Sequence, residues 1–463
     1  MFTNENLVKG RTNMKRKLLA TILCASMALA TLAGCGGNTQ TASTDAPAAE
    51  TKTEEAAPAA TEEAAPAEEE APALEGEIHY AYWSDVLGPY LEECKANFEA
   101  ANPGVTIVLE PTAWGEYWTK LETAATGGAV ADVFQMNGPN IGKYASAGII
   151  VPIDDLVANS DIDLNNYPQA MTDLYTVDGK LYGIAIDYDT IGLWYNKELF
   201  DAAGVEYPTE DWTWDDLVAA AEKLTDSSKG VYGMVAGYAD QGGFYNTVPM
   251  SGGYILNDDK SASGFKDPAT RAGIQCWVDL IQKGYSPSQA SLTENADYIQ
   301  FMSGKVAMLY AGDWFAATFV QDADFAKKID CQYLPKMNGK RVSVIHGKAN
   351  CISSATKYPE AAWAWVEYLA GKEANEILGK SGAAIPSYKG CADLYFAQFP
   401  DYNMGIFADE AENMSIPYPA SKTSAEWGDI MWNELIAAYS GDVSVDEACD
   451  NIAEQMDALL ASE

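Results

Sequence analysis

IHYAYW (Ile78–Trp83), YLEECKANFEAANPG (Tyr90–Gly104), VTIVL (Val105–Leu109), YWTKLETAATGG (Tyr117–Gly128) and ADVFQ (Ala131–Gln135) follow one another in quick succession. The first alternates and then runs aromatic, as an opening strand does. The second carries apolar residues at helical spacing until Asn102-Pro103-Gly104 breaks it. Val105–Leu109 reads as the next strand, Tyr117–Ala125 as a helix closed by Gly127-Gly128, and Ala131–Gln135 as a short strand. Strand and helix in alternation imply an α/β fold on a parallel sheet, with binding groups at the carboxyl ends of its strands.

Working outward, about 386 residues follow Glu77, more than one core usually supports, so two lobes are expected. The 12 Trp and 26 Tyr of the chain exceed what a plain scaffold needs. The chain carries a net charge of −38; its first 35 residues contribute +4 and residues 36–77 contribute −10, leaving −32 on the body. Such a body repels nucleic acid and anionic glycans. With His79 and His346 the only histidines, a His-based triad or metal cluster has little material, and neither catalytic residue, metal nor cofactor is expected. Six body cysteines (Cys94, Cys276, Cys331, Cys351, Cys391, Cys449) are widely spaced and form no CxxC pair; they read as small buried thiols rather than a disulfide framework.

Toward the N-terminus, Lys15, Arg16 and Lys17 precede an apolar run from Leu18 to Leu32, too short to span a bilayer comfortably and patterned as a signal peptide. The run ends in Leu32-Ala33-Gly34-Cys35, which resembles the bacterial lipobox and implies a lipid on Cys35. Residues 36–77 are rich in Ala, Pro, Thr and Glu, with Glu-Glu-Ala-Ala-Pro-Ala at 54–59 and again at 62–67. This composition buries nothing and is expected to form a disordered tether with a reach on the order of 100 Å.

Three stretches of the body, Phe98-Glu-Ala-Ala-Asn-Pro-Gly, Ala131-Asp-Val-Phe134 and Tyr144-Ala-Ser-Ala-Gly-Ile-Ile-Val-Pro-Ile153, resemble in order and spacing the family 1 extracellular solute-binding proteins, the maltose-binding-protein-like group. Gly179-Lys-Leu-Tyr-Gly-Ile-Ala-Ile186 followed by Leu193-Trp-Tyr-Asn-Lys-Glu-Leu-Phe200 is similar to that family's first passage between lobes. Trp212-Thr-Trp-Asp-Asp-Leu217, Met302-Ser-Gly-Lys-Val-Ala-Met308 with Gly312-Asp-Trp314, and Trp427 with Asp446-Glu-Ala448 extend the likeness over nearly the whole body. One loop departs from it: His346-Gly-Lys-Ala-Asn350 stands where many members carry a glycine-rich turn.

The resemblance implies a two-lobed periplasmic-binding-protein fold of class II type, with ligand held in the inter-lobe cleft. Residues 78–188 and 339–386 would form the first lobe, 189–338 the second, and 387–463 C-terminal helices mainly on the second. Passages are expected near Asp187–Ile191, Leu334–Ser343 and Ala384–Tyr388. It further implies that the protein passes a mono- or oligosaccharide to an ABC permease; the lipobox-like segment adds an anchor on the extracytoplasmic face of the cell membrane, and the need to hinge freely and present both lobes leads to the expectation of a monomer.

A sugar needs flat apolar faces for its C–H patches and planar polar groups for its hydroxyls. The residues that answer are Trp83, Ser84 and Asp85 after the first strand, Asn137 and Asn140 after the Val133 strand, and Asp187, Tyr188 and Asp189 at the first passage. Tyr238, Asp240 and Tyr254 on second-lobe loops, His346, and Trp314 and Trp427 at positions like the family's stacking tryptophans complete the set. Paired acids also serve glycosidases, and acids with aromatics also cage polyamines and other cations; both remain as alternatives at this stage.

Overall fold

The computed structural model describes residues 74–463; the signal segment, Cys35 and residues 36–73 of the tether lie outside the described residues. Gly76–Trp83 forms the first strand, and Val105–Thr112 runs parallel beside it from Gly76 opposite Val105 to Trp83 opposite Thr112. Between them, helix Gly88–Ala101 has a proline in its first turn, where a missing N–H is harmless, and ends at Asn102. It buries Tyr90, Leu91, Cys94 and Phe98, one stripe of a 3.6-residue period. The next helix is longer than its sequence pattern suggests, Trp114–Gly127, and closes on Gly128 at φ 67°, a conformation glycine adopts freely.

The first sheet orders its strands Val105–Thr112, Gly76–Trp83, Val133–Met136, Ala349–Ile352 and Ile184–Ala185. The purely parallel sheet expected from the opening alternation is in fact mixed. Ala349–Ile352 arrives from far along the chain and lies antiparallel to both of its neighbours. The second sheet is ordered Ile329–Gln332, Ile191–Asn196, Val306–Gly312 and Tyr232–Met234, with only the last pair parallel. Its two central strands are buried along their full length, as strands covered on both faces must be.

Each sheet has its own aromatic core. Trp365 packs edge-on to Tyr80 and Phe98 in the first lobe, and Trp194 packs against Phe319, Tyr402 and Phe407 in the second. All six body cysteines are free thiols, five of them buried, and burial pushes those of Cys94 and Cys449 up to about 12.

Five residues, 186–190, carry the chain from the first sheet to the second. Within them Asp187–Tyr188 pairs antiparallel with Ile385–Pro386, as the first and third expected passages require. The second passage differs from expectation. Leu334–Arg341 stays on the second lobe, held by mutual backbone bonds between Trp212 or Trp214 and Lys336 and by a turn from Met337 to Lys340. The chain crosses instead through Ser343–Ile345, which pairs with Ser415–Pro417, and continues into Ala349–Ile352. The two last long helices, Ser424–Ser440 and Val445–Leu460, pack on each other and on the second lobe. The first of them also touches helix Gly138–Ser146 of the first lobe.

Candidate binding cleft

Where the passages meet, Asp189 and His346 exchange backbone hydrogen bonds: Asp189 N–H donates to His346 C=O at 2.8 Å and His346 N–H to Asp189 C=O at 3.1 Å. The Asp189 Oδ1 accepts the Gln241 amide of the second lobe at 2.5 Å. Asp187 is wholly buried and is taken up by one neighbour: its Oδ1 accepts the Lys348 N–H at 2.7 Å and its Oδ2 pairs with Lys348 Nζ. A third carboxylate, Asp313, faces the Thr190 N–H at 3.4 Å. Three acids around one lysine leave an excess of negative charge in a dry place. Burial, reinforced by the charge of Asp187, pushes the Asp189 carboxyl up to about 7. Burial and the other two aspartates hold Asp313 well above the usual carboxylate range. Burial works against the Lys348 ammonium, but attraction to Asp187 outweighs it and its value is raised.

His346 is neutral, because burial and then Lys348 lower it to about 3. Its Nε2 accepts the Gly138 N–H at 3.2 Å, which places its proton on Nδ1. Its ring lies 4.8 Å from that of Tyr418, whose hydroxyl donates to Asp240 Oδ2 at 2.8 Å. A continuous line thus runs from the first lobe at Gly138 to the second at Asp240. Gly347, beside His346, has no room for a side chain, since a Cβ would stand 2.3 Å from the Asp187 carbonyl oxygen. Asp240–Phe244 is wound as a wide turn. Asn246 fixes it by donating to the Gln241 and Gly243 carbonyls and accepting the Val344 N–H, which holds Gln241 opposite Asp189.

Trp314 follows the buried strand Val306–Gly312 and folds back over its last residue. A Cβ at Gly312 would meet the Trp314 ring at 1.7 Å, so the ring's position depends on that glycine. At the end of the first strand, Trp83 sits edge-on to Trp114 and Tyr117, with Trp118 beside them. Ser84 turns the chain there at φ 76°, a left-handed conformation that costs a non-glycine residue about 1 kcal/mol or more, and Asp85 stands exposed beyond it.

Several expected contacts fall elsewhere. Trp427 is a core residue: 2 % exposed, with its indole N–H donated to Ser421 Oγ at 2.9 Å. Tyr188 points to the opposite side of its strand from its two aspartate neighbours, into a cavity of about 550 Å³ shared with Tyr388, Pro386 and Glu412. Asp187 is consumed by Lys348. Tyr254 is on the outside of the second lobe, its backbone bonded to Thr270. Asn137 caps helix Gly138–Ser146, accepting from the backbone and the side-chain amide of Asn140, so both asparagines are engaged with each other. Tyr238 packs on Trp432. Sequence reasoning missed Gln241, Lys348, Asp313, Tyr418, Trp114 and Trp432. The first two had a legible signal, since Gln241 adjoins Asp240 and Lys348 lies in the loop already singled out.

Two α/β lobes, joined by three passages with polar groups gathered where these cross, define a hinged two-lobed binding protein. Residues 80–376 match the bacterial extracellular solute-binding proteins, and the chain belongs to that family. It is 26 % identical over 409 residues to a binding protein of Brucella abortus, covering 84 % of this chain and 94 % of the relative. It is also 26 % identical over 288 residues to the maltodextrin-binding protein of Bacillus subtilis, 61 % and 66 % of the two chains. Among solved structures, an ABC substrate-binding protein of Listeria monocytogenes in complex with cycloalternan superposes with a TM-score of 0.77 at 27 % identity, over 83 % of this chain and 99 % of that one. The GacH receptor of Streptomyces glaucescens superposes at 0.73 and 22 % identity, over 84 % and 99 %.

Proposed function

We propose that this protein captures a mono- or oligosaccharide between its lobes and delivers it intact to the permease of an ABC importer, as a monomer held to the outer face of the cell membrane by a lipid on Cys35. The observation that carries the reading is the Asp189–Gln241 pair. It sets a carboxylate from a passage strand against a planar amide of the second lobe, the two group types that bind vicinal hydroxyls, and Trp314 follows the second-lobe strand whose last residue, Gly312, leaves room for its ring. Asp240, His346 and Tyr418 extend this polar strip, and Ser84, Asp85 and the exposed Trp114, backed by the buried Trp83, form the first-lobe rim. The relatives support a carbohydrate: one is named for maltodextrin, and the Listeria structure holds cycloalternan. We place the first lobe at 78–188 and 349–386 and the second at 189–341, with 387–463 mainly on the second and the middle passage at 342–348.

The test is calorimetry of the purified chain with maltooligosaccharides and cyclic glucans, followed by mass spectrometry of the recovered ligand. Saturable binding and an intact saccharide are expected. Shortened saccharide after incubation would mean a hydrolase, and no binding to any glycan would end the carbohydrate reading.

A further inference from the structure

Beside the cleft, the second lobe carries a cavity of about 220 Å³ whose lining includes none of the residues assigned above to saccharide capture. The rings of Tyr238 and Trp432 stand at 81° with centroids 5.0 Å apart, so they form a corner. Trp432 is 49 % exposed, a large indole kept in water on the otherwise well-packed helix Ser424–Ser440. Trp277 closes the apolar side, and Gln289, Thr293 and Asp297 supply the polar edge. Two of these are already engaged: Gln289 accepts the Tyr238 N–H at 2.8 Å and turns its amide toward Thr293. Asp297 is not. One of its oxygens accepts the Tyr298 N–H at 2.7 Å, and among the described residues no lysine, arginine or histidine lies within ion-pair distance of it. No basic residue lines the cavity at all.

We propose that this corner is a second binding site, one for a small organic cation: an alkylammonium group seated on the faces of Trp432 and Tyr238 with its charge toward the Asp297 carboxylate. The chemistry is that of an aromatic cage, in which ring quadrupoles attract a poorly hydrated cation that a carboxylate then neutralises. Burial raises the Asp297 carboxyl above its usual range, the condition of an acid that lacks a positive partner. A neutral saccharide gives no reason for such a carboxylate, and a bulky ligand would not fit the volume. The site shares the segment from Tyr238 to Gly242 with the cleft, where Gln241 faces Asp189, so a cation seated there borders the saccharide without touching the same atoms.

Choline is the probe, and 3,3-dimethyl-1-butanol, its neutral carbon isostere, is the control. Titrated calorimetrically into the whole protein, choline should saturate and the isostere should bind at least tenfold more weakly. Asp297→Asn and Trp432→Ala should each weaken choline at least tenfold, while Trp432→Phe retains most of the affinity, and the melting temperature of each variant shows that it is folded. Equal binding of choline and its isostere, no saturation at tens of millimolar choline, or choline binding that persists in both Asp297→Asn and Trp432→Ala would overturn the proposal. Saccharide affinity is read separately on the same samples, so failure of one site is distinguishable from failure of the other.

Discussion

Asp189→Asn isolates what the buried acids do to the cleft. The Asp189 carboxyl lies at about 7, against an ordinary 3.8. The interval corresponds to on the order of 4 kcal/mol at about 1.4 kcal/mol per pH unit. A group raised in the folded state contributes its stability fully below the ordinary value, here below about pH 4, and loses it as pH rises through the folded value near 7. Asparagine copies the protonated side chain in shape and keeps an acceptor for the Gln241 amide, but has no charge to bury. The variant should therefore nearly match the wild type near pH 4 and exceed it increasingly as pH rises, by up to about 4 kcal/mol near pH 8. Denaturant unfolding at both pH values measures this. Ligand affinity should move the other way: a sugar hydroxyl donates best to the ionised carboxylate, so wild-type affinity should rise between pH 6 and 8 while the variant stays flat and weak. A stability difference of the same size at pH 4 and pH 8 would refute the assigned position of this proton, whatever its sign.

Trp314→Ala should weaken saccharide binding by about 2 kcal/mol or more with little change in the melting temperature of the free protein. Gly312→Ala should reproduce most of that loss, because its methyl group expels the ring; calorimetry and a thermal melt on both variants decide it. Trp427→Ala should do the reverse, costing about 3–5 kcal/mol of stability while affinity falls only with the folded fraction. Cys35→Ala should release the protein from the membrane fraction, which fractionation and immunoblotting read directly.

The alternation of strand and helix was legible because it depends on local patterns: the Ile78–Trp83 strand, the Asn102-Pro103-Gly104 stop and the glycine closure of the second helix are all written within a few residues of where they act. The antiparallel entry of Ala349–Ile352 was not, since its partner Val133–Met136 is more than two hundred residues away and nothing in either strand encodes direction. The middle passage was misplaced for a similar reason. Leu334–Arg341 looks like a linker until Trp212 and Trp214 are seen to pair with Lys336. In the cleft, residue type singled out Asp189, His346 and Asp240, which the structure links to one another where the passages meet, whereas Trp427 shows the limit: whether an indole faces a cleft or a core depends on the tilt of one helix and on Ser421. The roles of Asp187 and Tyr188 hinged on the two-residue period of a strand, which sends neighbours to opposite sides, and on a lysine whose partner could not be named before the passages were in place.

The reciprocal backbone bonds between Asp189 and His346 have a kinetic meaning. Both residues lie on the passage strands themselves, so a closure that pivots on these strands would carry the lobe surfaces far and displace this pair little. An arriving solute then meets an inner patch that is already assembled, and the encounter rate is set by diffusion and orientation rather than by a slow rearrangement. What the turning lobes add is the second wall that delays departure. Substitutions on the moving rims, at Trp114 or Trp314, should therefore appear mainly as faster release, and those at Asp189 as slower capture.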